Sequence, residues 1–475
     1  MTAPRTAVRA AALAGPIALA FASGGFYPEA REVALVVTAA LLAAWALVGP
    51  SPFPRDRRVL LALGAFAAYC AWVAISASWA PQADAARGDL ERVLLYLGAL
   101  ALGATLWTCR RAARWVEPVV VAGILVVMAY GLAGRLLPGI VELDAGRLAG
   151  ARLFQPLSYW NGQGALAAIG LLLCARLTGD RTRPAAVRVL AAAASVPIGT
   201  ALYLTFSRGA LVAFAGGALI LLALAPTWTQ LRALAITVEA VALGVAVWRT
   251  LGGVHDLDPA SRESDGAIAL ALLLVLMLVA AAVAAWAHRV EEEERTRLGR
   301  LPLPERAPVI AAVLALALVV VPVLLPDDGA PRFAATSERL ASTGSNRDEY
   351  WAVALRAAAD HPVGGLGSGG FAQEWLAERP IDETVRDAHS LYLETLAELG
   401  LVGLLLLLAA FGAIAACGRA AHRTDPALAA GPIAALAAYA IHAGIDWDWE
   451  LPALTLVAVG LAGLLLSRAS SRSGG

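Results

Sequence analysis

Lysine is missing from this sequence: all 37 of its basic residues are arginines. Arginine in place of lysine at any one position therefore carries little information about that position. Charge of either sign is scarce, at 16% of residues, where a soluble domain carries roughly a quarter. The 37 acidic residues cancel the arginines, so no polyanionic or polycationic partner is implied and nucleic acid is not expected. Cysteine is limited to Cys70, Cys109, Cys174 and Cys417, each within or at the end of an apolar run. No polar segment on the outer side holds a pair of them, which excludes a disulfide framework and a cysteine metal site. Internal repeats and low-complexity segments are absent as well. That weighs against a transporter, because transporters are commonly built from repeated halves.

What the sequence has instead is hydrocarbon. Of 475 residues, 59% are hydrophobic, and the mean hydropathy is +0.68. Apolar runs long enough to cross a bilayer begin near residues 8, 32, 59, 93, 115, 161, 187, 209, 232, 267, 308, 391, 427 and 452. Each needs about 20 apolar residues to span the hydrocarbon. The expectation is an all-α polytopic membrane protein of about 12–14 transmembrane helices, forming a single integral membrane domain over 1–475. The first run, behind Arg5 and Arg9, superficially resembles a signal peptide. A second span follows so closely that an uncleaved first helix is expected.

Arginine falls mainly in alternate loops: Arg55, Arg57 and Arg58; Arg110, Arg111 and Arg114; Arg176, Arg181, Arg183 and Arg188; and the 289–306 segment. Cytoplasmic loops retain positive charge, so a multi-pass protein of the cytoplasmic (inner) membrane with both termini inside is predicted. Residues 326–390 then form one large extracytoplasmic loop. Helical periodicity runs from Asn346 to Asp360, "HPVGGLGSGGF" breaks it, and a further helical turn is expected near Glu374–Glu378. The run Glu291–Glu294, with Arg295 and Arg297 after it, reads as a solvated helix extension on the inner side.

Four stretches carry chemistry. In "TFSRGALVAF", Ser207, Arg208 and Gly209 join two apolar runs with almost no loop, and an arginine at that depth needs a partner or a polar cavity. "SNRDEYWAVALRAAADHPVGGLGSGGF" places Arg347, Tyr350 and Trp351 in one helical neighbourhood. Its glycines match G-x-G-x-x-G at Gly365, Gly367 and Gly370, but no strand precedes them, so a dinucleotide site is rejected in favour of a tight turn. "RDAHSLYLE" sets Asp387, His389 and Tyr392 at the mouth of a span. "YAIHAGIDWDWELP" spaces His442 and Asp446 at i,i+4 near an outer boundary, with Trp447 and Trp449 suited to an aromatic belt. Asp446 with Asp448, and Asp256 with Asp258, form D-x-D pairs, a weak metal signal. Glu239 sits alone in an apolar run and calls for a partner. Five other histidines (His255, His288, His361, His422, His442) compete with His389 for any role.

Taken in order, "SRGALVAF", "NRDEYW" running into "HPVGGLGSGGF", and "AHSLYLETLAELGLVG" resemble the O-antigen ligase and O-antigen polymerase superfamily. "RLFQPLSYWNGQGALAA" at Arg152–Ala168 is similar too, and the resemblance covers roughly 145–450. It implies a fold of the GT-C glycosyltransferase type and an enzyme that takes a glycan from a polyprenyl-diphosphate carrier. The glycan goes to an acceptor hydroxyl on a lipid, glycan or protein outside the cytoplasmic membrane, with inversion and without metal or other cofactor. By the same resemblance, Arg208 and Arg347, with Arg152 as a third, bind the donor diphosphate, and His389 is the catalytic base. Asp387, Tyr392, His442 and Asp446 are accessory candidates. The family often has Asn after the histidine. Here it is Ser390, so either Asp387 or Ser390 is expected to orient the ring. The alternatives are a polysaccharide polymerase of the same superfamily and a lipid-linked sugar transporter or flippase.

Overall fold

The computed structural model describes residues 3–50, 56–143, 146, 149–293, 304, 310 and 345–470. Among them there are helices and turns but no strand. Ten helices are long and apolar enough to cross a bilayer, and Arg208–Leu224 is a shorter apolar helix. Ala3–Ala20 and Ala83–Leu106 are helices too. The protein is a polytopic membrane protein. Every predicted span start falls in a helix except the one near 308, which lies outside the described residues, as do Asp144, Arg147 and most of the 294–344 segment.

The chain divides into two compact units. The first comprises Met1–Ala113, Ser345–Asp425 and His442–Gly475; the second comprises Arg114–Gly344 and Pro426–Ile441.

In the first unit, helices Ala83–Leu106 and Pro452–Ser470 cross where Gly103 meets Gly463. A Cβ on Gly103 would lie 2.9 Å from the Gly463 Cα. Apolar helices in lipid gain nothing from leaving water, so close backbone approach of this kind is what holds them together. The helix Ala83–Leu106 is the polar exception, with Asp84, Arg87, Asp89, Glu91 and Arg92 in its first half.

Helix Leu391–Thr424 is broken at Gly400 (φ 63°, ψ −168°), a conformation essentially reserved for glycine. Three carbonyls around the break have partners outside the helix. Leu366 N donates to Ala397 O (2.9 Å) and Gly367 N to Glu398 O (2.8 Å). Trp72 Nε1 donates to Leu399 O (2.9 Å). The Glu398 carboxylate in turn accepts from Gly369 N (2.9 Å) and Phe371 N (3.0 Å). The glycine stretch is therefore a tight turn moulded onto a helix break. At Gly367 (φ 90°) a side chain would strike the Ala80 backbone at 2.5 Å. Helices Arg347–Asp360 and Phe371–Glu378 flank this turn as the periodicity predicts.

In the second unit, helix Trp160–Gly179 is buried along its whole length after the first residue. Gly164 packs against Ser207 and Ala210, and Gly170 against Ile124 and Ile198. At one end a charged network ties the helices together. Arg183 pairs with Glu117 and Asp180, Arg176 with Asp180, and Arg188 with Glu291 at 2.7 Å. Arg188 Nη1 also meets His288 Nδ1 at 2.8 Å. Glu291 therefore departs from the solvated helix extension expected of its run: it is buried, and its partner lies about a hundred residues earlier. Glu239 lies on the exposed side of helix Trp228–Trp248 rather than in the unit's interior.

Candidate active site

The first unit gathers most of the flagged residues in one place. His389 sits just before helix Leu391–Thr424 in a left-handed backbone conformation (φ 53°). A side-chain-bearing residue pays steric strain there, and such outliers collect at functional sites. Ser390, where Asn is frequent in the resembling family, is the helix N-cap, its Oγ accepting from Leu393 N (3.4 Å).

The partner of the imidazole is Asp446, neither Asp387 nor Ser390: His389 Nδ1 lies 3.1 Å from Asp446 Oδ1. The other oxygen of Asp446 accepts from Arg347 Nη2 at 2.6 Å, and Trp447 N donates to Oδ1 at 2.9 Å. Burial pushes the Asp446 carboxyl up, but Arg347 and His389 beside it more than offset this and hold it well below the usual carboxylate range. An ionised Asp446 can only accept, so Nδ1 of a neutral His389 carries the proton and Nε2 presents its lone pair.

Aromatic rings fix the imidazole plane. Tyr350 stacks on it with centroids 5.3 Å apart, and Trp447 meets it edge-on at 6.3 Å. Tyr350 is held by Trp375 (5.0 Å) and by its hydroxyl on Glu383 (2.8 Å). The His389 side chain stays 21% exposed.

Around this core lies an acid-rich group. One oxygen each from Asp387, Glu394 and Glu450 lies within 4.8 Å of the others. Arg92 pairs with Asp89 at 2.5 Å and with Glu450, and Ser368 Oγ donates to Asp89 at 2.6 Å. Burial pushes Asp387 up, and pushes Glu450 up to about 8 even beside Arg92. Sequence reasoning missed Asp89, Arg92 and Glu450. The signal was "DLER" just ahead of an apolar run, since ionisable groups at a span's edge mark functional polar sites.

His442 does not keep the i,i+4 relation to Asp446, because its helix ends at Ala443. Its Nδ1 instead meets Asp448 Oδ2 at 2.5 Å, both residues fully buried. Tyr392 packs on Phe411 (6.5 Å). In the D-x-D pairs the carboxylates have other partners: Asp446 holds Arg347 and His389, Asp448 meets His442, Asp256 serves His255, and Asp258 caps the turn at Ala260.

Arg208 and Arg152 belong to the second unit, where their segments are joined by Leu153 N donating to Leu204 O (2.8 Å). Arg208 opens helix Arg208–Leu224 behind the N-cap Ser207. Arg152 is buried with its guanidinium 4.6 Å from the centroid of Trp160. Phe206 and Ser158, one in each stretch, share the left-handed backbone of His389 (φ 49° and 64°).

No match is found among the curated proteins. A family model described as O-antigen ligase matches residues 193–408, an interval that includes Arg208, Arg347 and His389 and stops short of Asp446. On that match, this multi-pass membrane protein carries an O-antigen ligase family domain over residues 193–408.

Proposed function

We propose that the protein transfers a glycan from a polyprenyl-diphosphate carrier to an acceptor hydroxyl, with His389 as the general base. The observation that carries this reading is the His389–Asp446–Arg347 arrangement, with bonds of 3.1 and 2.6 Å on the two oxygens of one buried carboxylate. It supports a neutral His389 whose Nε2 is able to accept a proton.

In this mechanism Nε2 takes the proton of the acceptor hydroxyl while that oxygen attacks the anomeric carbon. The bond from that carbon to the diphosphate oxygen breaks on the opposite face, and its electron pair leaves with the diphosphate. The product has inverted configuration, and the proton remains on His389, where Asp446 stabilises the imidazolium. Arg347 and Arg208, with Arg152, are assigned to the departing diphosphate because a guanidinium matches phosphate oxygens in a bidentate way. For Arg208 and Arg152 this assignment rests on the sequence resemblance. A lipid or protein acceptor would make the enzyme a ligase, and a growing glycan a polymerase.

The test separates binding from chemistry in nanodiscs. His389→Ala is expected to lower transfer about 10²- to 10⁴-fold, the usual contribution of a general base, while the donor still binds. Full activity in this variant would end the catalytic role. Transfer is also expected to survive EDTA. Loss with EDTA and recovery with magnesium or manganese would redirect attention to Asp387, Glu394 and Glu450. The orientation has its own check: a cysteine at Ser342 should react with an impermeant thiol reagent in cells whose protein lacks Cys109, and one at Thr296 should not.

A further inference from the structure

In the second unit, His255 has a role that no motif announces. It is buried, in the short helix Gly252–His255, and both ring nitrogens are engaged. Nε2 lies 3.0 Å from Tyr203 Oη, and Nδ1 lies 2.7 Å from the exposed Asp256 carboxylate. With Nδ1–H donated to Asp256, Nε2 accepts the Tyr203 hydroxyl proton. The ring also lies 5.4 Å from Phe206, which meets Tyr203 edge-on at 5.7 Å. Phe206 is the residue in the left-handed conformation that turns the chain into Ser207 and Arg208.

The segment carrying His255 is itself anchored from two directions. Arg135 donates to Val254 O (2.8 Å) and to Ala151 O (2.6 Å), the carbonyl next to Arg152. Asp265 accepts from Gly253 N at 2.8 Å. One buried imidazole on a fixed segment thus grips the turn before Arg208 by its tyrosine hydroxyl and its phenylalanine ring. Arg135 joins the same segment to the stretch that bears Arg152.

We propose that His255, acting through Tyr203 and Phe206, is a positioning residue that sets the pose of Arg208 for the donor diphosphate. The proposal rests on the reading of Arg208 as a diphosphate ligand. A histidine that only fills the core would lower stability without touching donor recognition selectively.

The experiment uses the full-length protein in nanodiscs with a polyprenyl-diphosphate glycan as probe. The variants are Tyr203→Phe, His255→Leu, His255→Gln and Arg208→Ala, with Tyr203→Phe also combined with Arg208→Ala. Tyr203→Phe and His255→Leu are each expected to weaken donor binding about fivefold, the scale of one neutral hydrogen bond, leaving the acceptor KM unchanged. Glutamine reproduces an acceptor near Nε2 and should restore most of the affinity. In the Arg208→Ala background, Tyr203→Phe should cost nothing further, because residues acting through one contact are not additive. Full additivity, or donor binding unaltered by Tyr203→Phe, overturns the proposal.

Hydrogen exchange of residues 203–212 keeps this outcome apart from failure of the functional reading. If Arg208→Ala leaves donor affinity intact, the diphosphate role fails, and exchange alone then judges the positioning. Faster exchange at the Ser207 and Ala210 amides in Tyr203→Phe sustains it, and unchanged exchange ends it.

Discussion

Two buried charge clusters, one in each unit, can be set against each other. In the second unit Arg176, Arg183 and Arg188 face Glu117, Asp180 and Glu291, guanidinium for carboxylate. In the first unit Asp89, Asp387, Glu394, Glu398 and Glu450 gather around one buried guanidinium, Arg92. Nearby, His389 uses one ring nitrogen on Asp446 and stays partly exposed. A matched cluster spends its charges on one another. An unmatched one holds protons or lone pairs that chemistry can use. Charge balance, more than burial, separates a lock from a site.

The largest effect should come from disturbing the unmatched cluster at its centre. In Asp446→Asn the amide can donate to His389 Nδ1, which moves the ring proton to Nε2 and removes the lone pair from the acceptor side. Transfer should fall about 10²- to 10⁴-fold, the full general-base contribution, with a much smaller loss of thermal stability than in the lock. Near-normal turnover in this variant would remove Asp446 from the site.

The matched cluster should answer in the opposite way. Arg183→Ala leaves Glu117 buried without its guanidinium, and breaking a buried pair from one side costs about 3–5 kcal/mol. The melting temperature should drop steeply while turnover per folded molecule stays within about twofold, on the scale of surface-site perturbations. A selective loss of turnover with stability intact would erase the distinction between the two clusters.

How much of this could be read beforehand follows from what each feature depends on. The helices were legible because hydropathy acts locally, and the breaks at "HPVGGLGSGG" and at Ser207 are signalled by their own residues. The order of motifs singled out His389 and Arg347, which the structure brings to the two oxygens of Asp446. The Asp446 partnership was not: it lies 57 residues from His389, and i,i+4 spacing tied Asp446 to His442 instead, a relation that ends with the helix at Ala443. Glu291 misled for the same reason. Its neighbours in sequence are charged and suggest solvent, yet its partner Arg188 comes from another helix. Left-handed backbone at Ser158, Phe206 and His389 leaves no mark on composition at all.

A middle-sized effect tests whether the unmatched site depends on the helix break beneath it. Gly400→Ala forces a side chain into a glycine-only conformation, and its Cβ would strike the Val363 carbonyl. The strain is of order 1–3 kcal/mol. Because Glu398 and the glycine turn are bound through that break, the loss should be accompanied by faster exchange at the Leu366 and Gly367 amides. A straightened but fully active helix would show that the site does not lean on the break.

The smallest effect sharpens the comparison through pH. Glu450 has its carboxyl raised by burial from about 4.5 to about 8 in the folded protein, despite Arg92. Between those values the folded state holds a proton that the unfolded state has released. Stability therefore falls as pH rises through this window, since the slope follows the difference in bound protons. Asp446 works the other way: its lowered carboxyl contributes stability at neutral pH that is lost only in strong acid. The melting temperature of the wild type should consequently decline between about pH 5 and pH 8, and Glu450→Gln, which keeps the shape and cannot ionise, should flatten that decline. Arg183→Ala, in the matched cluster, should shift the whole curve downward. If Glu450→Gln retains the wild-type slope, the proton is held elsewhere in the acid group. Asp387, which burial also raises, is then the carboxyl to replace next.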